Sequence, residues 1–154
     1  MAYTIDKRTI TIFGEWTKPV PIVYLHTFQH EGSSIWQECQ QLGTPQFYLA
    51  EISGGAWNRD LSPWPSENVF HEEEELEGKA PEWLQDIVTK VIPRCEEHLQ
   101  ITRRIIAGYS LAGLFALWSA YNTSIFNAVV ACSASFWYPG FLDYATSTAF
   151  PQQP

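Results

Sequence analysis

Positive charge is scarce in this chain of 154 residues. Nine Lys and Arg stand against 17 Asp and Glu, for a formal net charge of −8. So acidic a surface repels phosphate backbones and anionic headgroups, and neither nucleic acid nor a membrane surface is expected as a partner. Much of the excess lies in one run, Glu72 to Glu75 with Glu77, which reads as a solvated loop. Cysteine is sparse as well. Cys39, Cys95 and Cys132 are odd in number and far apart, which excludes a disulfide framework and a zinc-site spacing; buried reduced thiols are expected. No apolar run approaches the 18 or so residues that cross a bilayer, and the opening residues lack the basic, apolar and small-residue order of a signal peptide. A cytoplasmic location is the expectation. Neither G-x-G-x-x-G nor G-K-[ST] occurs, which removes the dinucleotide and P-loop readings, and no cofactor is expected.

Apolar and aromatic residues are plentiful, at 45% and 15% of the chain. That composition and length fit one domain, 1–154, with a real core. The aromatic share suits broad packing contacts or an apolar pocket without choosing between them. Segment 9–16 (TITIFGEW) alternates as a strand does, and 20–26 (VPIVYLH) is a short buried run after Pro19. Residues 33–42 carry helical spacing that ends at Gly43, and 46–52 (QFYLAEI) is another strand. Ser53-Gly54-Gly55 opens a long irregular stretch through Pro63, Pro65 and the Glu run; loops of that length are uncommon and often functional. Helical spacing returns over 80–99, where Pro93 should kink or split the helix. Strand 103–107, helix 111–121 and strand 126–132 follow, and 146–154 has no period and reads as an irregular tail.

Strands alternating with helices predict an α/β fold, a mostly parallel sheet with helices on both faces. Ligands of such sheets sit beyond the carboxyl ends of the strands, an edge formed here by 26–29, 53–56, 108–110 and 133–135. At that edge stands Gly108-Tyr109-Ser110-Leu111-Ala112-Gly113. A buried strand ends at Gly108, Ser110 comes two residues later, and a helix starts at once. With small Ala112 in place of the second glycine, this is the G-x-S-x-G nucleophile elbow, a tight turn that lifts a serine hydroxyl clear of the sheet. The Leu111 N–H, at a helix N-terminus, could then donate to a developing oxyanion. A second donor should come from the loop after strand 20–26, from the N–H of Thr27 or Phe28. His26, at the strand end, is either a group that orients this loop or a general base. His26 and His30 straddle a strand end and a loop rather than one helix face, so no metal is expected.

The segment Gly108 to Leu117, the downstream Phe126 and the stretch Ser133-Ala134-Ser135-Phe136-Trp137-Tyr138-Pro139 resemble the esterase family of α/β-hydrolases that includes enterochelin esterases and esterase D-like enzymes. The elbow half carries the resemblance. Trp57-Asn58-Arg59-Asp60-Leu61-Ser62-Pro63-Trp64 is similar to a loop in a bacterial subgroup of hydrolase-like proteins. The resemblance implies a three-layer α/β-hydrolase sandwich and an acyl-serine mechanism on a small-molecule carboxylic ester. Ser110 would attack, and Leu111 with a donor near Thr27 would hold the oxyanion. His26, Tyr109, Ser135 and Trp137 are its candidate pocket residues, Trp137 having the core as its other reading.

The chain also departs from the family. In this fold the partners follow in the order Ser, acid, His, yet after Ser110 the sole acid is Asp143 and histidine is absent. Asp143 comes too soon after its strand to match the usual acid. The expectation is a domain cut short at its C-terminal end, its acid and base missing with two strands. Two other readings stay open: a non-catalytic hydrolase-fold remnant that serves as a binding or interaction module, and a makeshift enzyme with His26 as base. A sheet so truncated would expose an edge after strand 126–132 and favour self-association.

Overall fold

Every second residue of β2 (Arg8–Phe13) is buried, and Ile10 and Ile12 face the core. That is the period of a half-buried strand. β1 (Ala2–Ile5), which the sequence reading passed over, folds back on it as a hairpin through Asp6, whose φ of 52° is one that Asp tolerates. The computed structural model describes residues 1–67 and 75–151. Glu72–Glu74 of the acidic run lie outside the described residues.

β3 (Val20–Thr27), β4 (Tyr48–Gly54), β7 (Ile101–Tyr109) and β8 (Ala128–Cys132) complete a sheet in the order β1-β2-β4-β3-β7-β8. Its β4-β3-β7-β8 part is parallel, and β1 and β2 are antiparallel additions. Between the strands run α1 (Gly32–Gln41), α2 (Trp57–Leu61), the two-residue strands β5 (Pro65–Ser66) and β6 (Leu76–Glu77), α3 (Ala80–Asp86), α4 (Ile92–Glu96) and α5 (Ser110–Asn122); α6 (Phe141–Ser147) follows β8. Pro93 does break the helix expected over 80–99. It has no N–H to return to the preceding turn, and a wide π turn at Ile87–Val91 separates α3 from α4 just before it. Helix α6 takes up residues 146 and 147 of the expected tail, 148–151 are irregular, and 152–154 lie outside the described residues.

Opposite faces of β3 and β4 show the layering. His26 meets Trp83 of α3 and Phe115 of α5, so those helices share one face. On the other face Glu51 accepts the Gly32 N–H at the start of α1, 2.7 Å away. The approach is so close that a Cβ at Gly32 would lie 2.4 Å from the Glu51 carboxyl. This is a mostly parallel α/β-hydrolase sheet with helices on both faces. The main core fills the α3–α5 side, where Ile22, Tyr24, Ala50 and Ile106 are fully buried beneath Leu111, Leu114 and Phe115. Cys95 is buried, Cys39 intermediate and Cys132 exposed at the end of β8. The expectation of buried thiols thus holds for Cys95 alone; Cys132 is exposed on β8, which among the described residues has β7 on one side and no strand on the other.

Candidate active site

The junction of β7 and α5 is a turn without a loop. Tyr109 is extended (φ −119°, ψ 160°), Ser110 has φ +52°, and α5 begins at Ser110 itself. A non-glycine residue in this left-handed region costs about 1–3 kcal/mol and persists where its surroundings hold it. Those surroundings need two glycines. A Cβ on Gly108 would lie 2.4 Å from the Ala112 carbonyl oxygen, and one on Gly113 would lie 2.8 Å from the Ala134 Cβ. The loop after β8 closes over the turn, with the Ser135 N–H donating to the Ser110 carbonyl at 3.1 Å. The Ser110 hydroxyl stands 3.5 Å from that of buried Ser135. Leu111 is buried in the first turn of α5, where N–H groups have no carbonyl one turn back to bond.

Ser110 opens into a cleft of about 420 Å³ that it shares with Phe28, Gln29, Glu31, Trp57, Asn58 and Tyr109. Of the four strand-end segments expected at this edge, 26–29 and 108–110 line the cleft, with Trp57 and Asn58 just past 53–56, and 133–135 does not. The Tyr109 phenol joins two of them: it donates to Glu31 Oε1 at 2.7 Å and accepts the Phe28 N–H at 2.9 Å. Burial and the Glu31 bond push its pKa up to about 12. Burial alone would raise the Glu31 carboxyl, but the Tyr109 hydroxyl and the Gln29 N–H hold it below the usual carboxylate value. The expected role of Phe28 as an oxyanion donor is therefore not available in this arrangement, since its N–H is committed to Tyr109. Thr27 is buried at the end of β3, its hydroxyl on Glu51 at 2.6 Å. Trp137 is 55% exposed and is neither in the core nor among the cleft residues.

His26 stands apart from this cleft. Its Nε2 accepts the Trp83 Nε1–H at 3.0 Å, its ring packs edge-on against Phe115, and only 4% of it is exposed. Burial, with help from nearby Arg8, lowers its pKa to about 3, so it stays neutral with one nitrogen occupied. The Arg8 guanidinium carbon sits over Trp83, 3.6 Å from the ring centre, and Arg8 pairs with buried Asp60. His26 is part of this packed seam between strand and helices, lining a small cavity there and not the cleft of Ser110. His30 bonds the Ser53 hydroxyl at 2.7 Å, on the other side of the strand end. Among the described residues no histidine meets Ser110, and no three of His, Cys, Asp and Glu gather as metal ligands.

A family model described as "Putative esterase" matches residues 46–153, from β4 through the elbow and past α6. The chain belongs to that family. YbbA of Bacillus subtilis (strain 168), an uncharacterized protein, is 28% identical over 131 residues, which cover 77% of this chain and 51% of YbbA. Among solved structures, the siderophore hydrolase EstA from Aspergillus nidulans has a TM-score of 0.73 and 19% identity, with 96% of this chain and 60% of EstA covered. An IroE-like serine hydrolase from Shewanella oneidensis has a TM-score of 0.74 and 20% identity, with 91% and 51% covered. This member of the esterase family thus spans about half to three fifths of the length of these relatives. The family match takes in the loop of Trp57 and Asn58, which sequence reasoning quoted as a resemblance but did not place in the site. Gln29 and Glu31 lie outside the match, and no motif marked them; only their position beyond the end of β3 could have done so.

Proposed function

We propose that Ser110 is the nucleophile of a carboxylic ester hydrolase and that its acid and histidine partners come from outside residues 1–154. The hydroxyl oxygen would attack the ester carbonyl while its proton passes to the base. The tetrahedral oxyanion would be met by the Leu111 N–H, the C–O bond would break, and the alcohol would leave with that proton. Water would then release the acid from the acyl-serine. The observation that carries this reading is the left-handed Ser110 between β7 and α5, open to a cleft built from neighbouring strand ends. The substrate class is a small-molecule ester, in keeping with the hydrolases among the structural relatives.

A fluorophosphonate probe tests it, with the adduct mapped by mass spectrometry. The expected result is slow labelling confined to Ser110, absent in Ser110→Ala, and accelerated by free imidazole acting in place of the base. The Ser110 hydroxyl beside Ser135, with no described histidine at hand, favours the alternative of a non-catalytic interaction module. No labelling at Ser110 with imidazole present would decide for that module. We also propose that the chain self-associates through its β8 edge, where Val130 is 45% exposed.

A further inference from the structure

The cleft in front of Ser110 has an uneven chemical lining. Phe28, Trp57 and Tyr109 give it three aromatic rings, with centroids 5.2 Å apart for Phe28 and Trp57 and 5.7 Å for Trp57 and Tyr109. Phe28 is half-exposed. Among the described residues Glu31 is the sole charged one of the lining, which contains neither Lys nor Arg. Tyr109 donates to one of the Glu31 oxygens and the Gln29 backbone to the other, and with its own backbone N–H added the carboxylate still has acceptor capacity for a further donor. Those bonds also keep the carboxyl ionised. His30, next in the chain, is turned onto the Ser53 hydroxyl.

Aromatic faces carry negative potential and attract cations, most strongly when the charge is diffuse and weakly hydrated, as in a quaternary ammonium. A fixed carboxylate beside them adds attraction of the same sign and repels anions. We propose that this cleft selects an ester whose non-reacting part carries a cationic, alkylammonium-type group, seated against Trp57 and Phe28 and facing Glu31. Anionic esters would be rejected there. The proposal rests on the reading of Ser110 as the reacting group, but its recognition step does not involve that hydroxyl.

Three probes of nearly one shape test it: choline, its neutral isostere 3,3-dimethylbutan-1-ol, and the anion 3,3-dimethylbutanoate. Dissociation constants come from NMR titration of the indole signals, with the Trp57 signal assigned through Trp57→Phe. Choline should bind about tenfold tighter than the neutral alcohol, equivalent to about 1.4 kcal/mol, and the anion should bind weakest. Glu31→Gln should remove most of that preference and leave the alcohol's affinity within about twofold. Ser110→Ala should leave the order unchanged. Equal affinities for choline and the alcohol, no choline binding, or a preference that survives Glu31→Gln would each overturn the proposal. Ser110 labelling is a separate readout, so failure here differs from failure of the nucleophile reading.

Discussion

Ser110 carries the strain of the turn between β7 and α5. Its φ of +52° is a conformation that glycine adopts freely and an L-residue adopts at a cost of about 1–2 kcal/mol. Glycine at that position would relieve the strain but lose more backbone freedom on folding, by about 0.5–1 kcal/mol. The balance predicts that Ser110→Gly raises the melting temperature by about 2–4 °C, the shift expected of about 1 kcal/mol in a chain of this size. Ser110→Ala keeps the strained backbone and should melt near the wild-type temperature. Calorimetry on the two variants checks this. Equal stability of the glycine and alanine variants would mean that the turn is relaxed.

Where strand and helices meet, His26 seals the face of β3 under α3 and α5. Its folded pKa of about 3 lies below the ordinary histidine value of 6.5, so between those values the unfolded chain binds a proton that the folded chain excludes. Stability is then whole above about pH 6.5 and falls as pH drops, by ~1.4 kcal/mol per pH unit from this group. His26→Gln keeps an acceptor for Trp83 and should flatten that part of the slope. Urea unfolding of both proteins across the window measures the difference; parallel slopes would show that His26 titrates normally in the folded state. The role of His26 was not legible in the sequence, because a histidine at the end of a strand looks the same whether its ring turns to the cleft or to Trp83. The tight turn at Ser110 was legible for the opposite reason. Gly108, Ala112 and Gly113 are small where backbone and side chains nearly touch, and such contacts constrain residue type locally. Helices α2 and α6 were missed because five and seven residues give too little period to read, and β1 because its side chains are at most half-buried. Glu31 was missed because its importance lies in Tyr109, 78 positions away.

At the scale of the whole molecule, helical cover is uneven. One face of the sheet lies under α3, α4 and α5, which reach it through Trp83, Glu96 and Phe115, whereas α1 packs on β4 of the other face. Val130 is left exposed on β8, which among the described residues has a partner strand on one side only. An unpaired apolar edge of this kind recruits further strands, and a charge placed on it blocks pairing. Sedimentation should therefore show association that grows with concentration, and Val130→Lys should return the chain to monomer. A wild-type chain that sediments as a sharp monomer would contradict the edge proposal and leave the site untouched.

The measurement that bears most directly on the central claim is the release of p-nitrophenol when the chain meets p-nitrophenyl acetate. If Ser110 forms an acyl-enzyme and lacks its base, a single slow burst of up to one equivalent per chain should appear, with the acetyl group on Ser110 and little turnover afterwards. Release no faster than that of Ser110→Ala, with no acetylated serine found, would contradict the account.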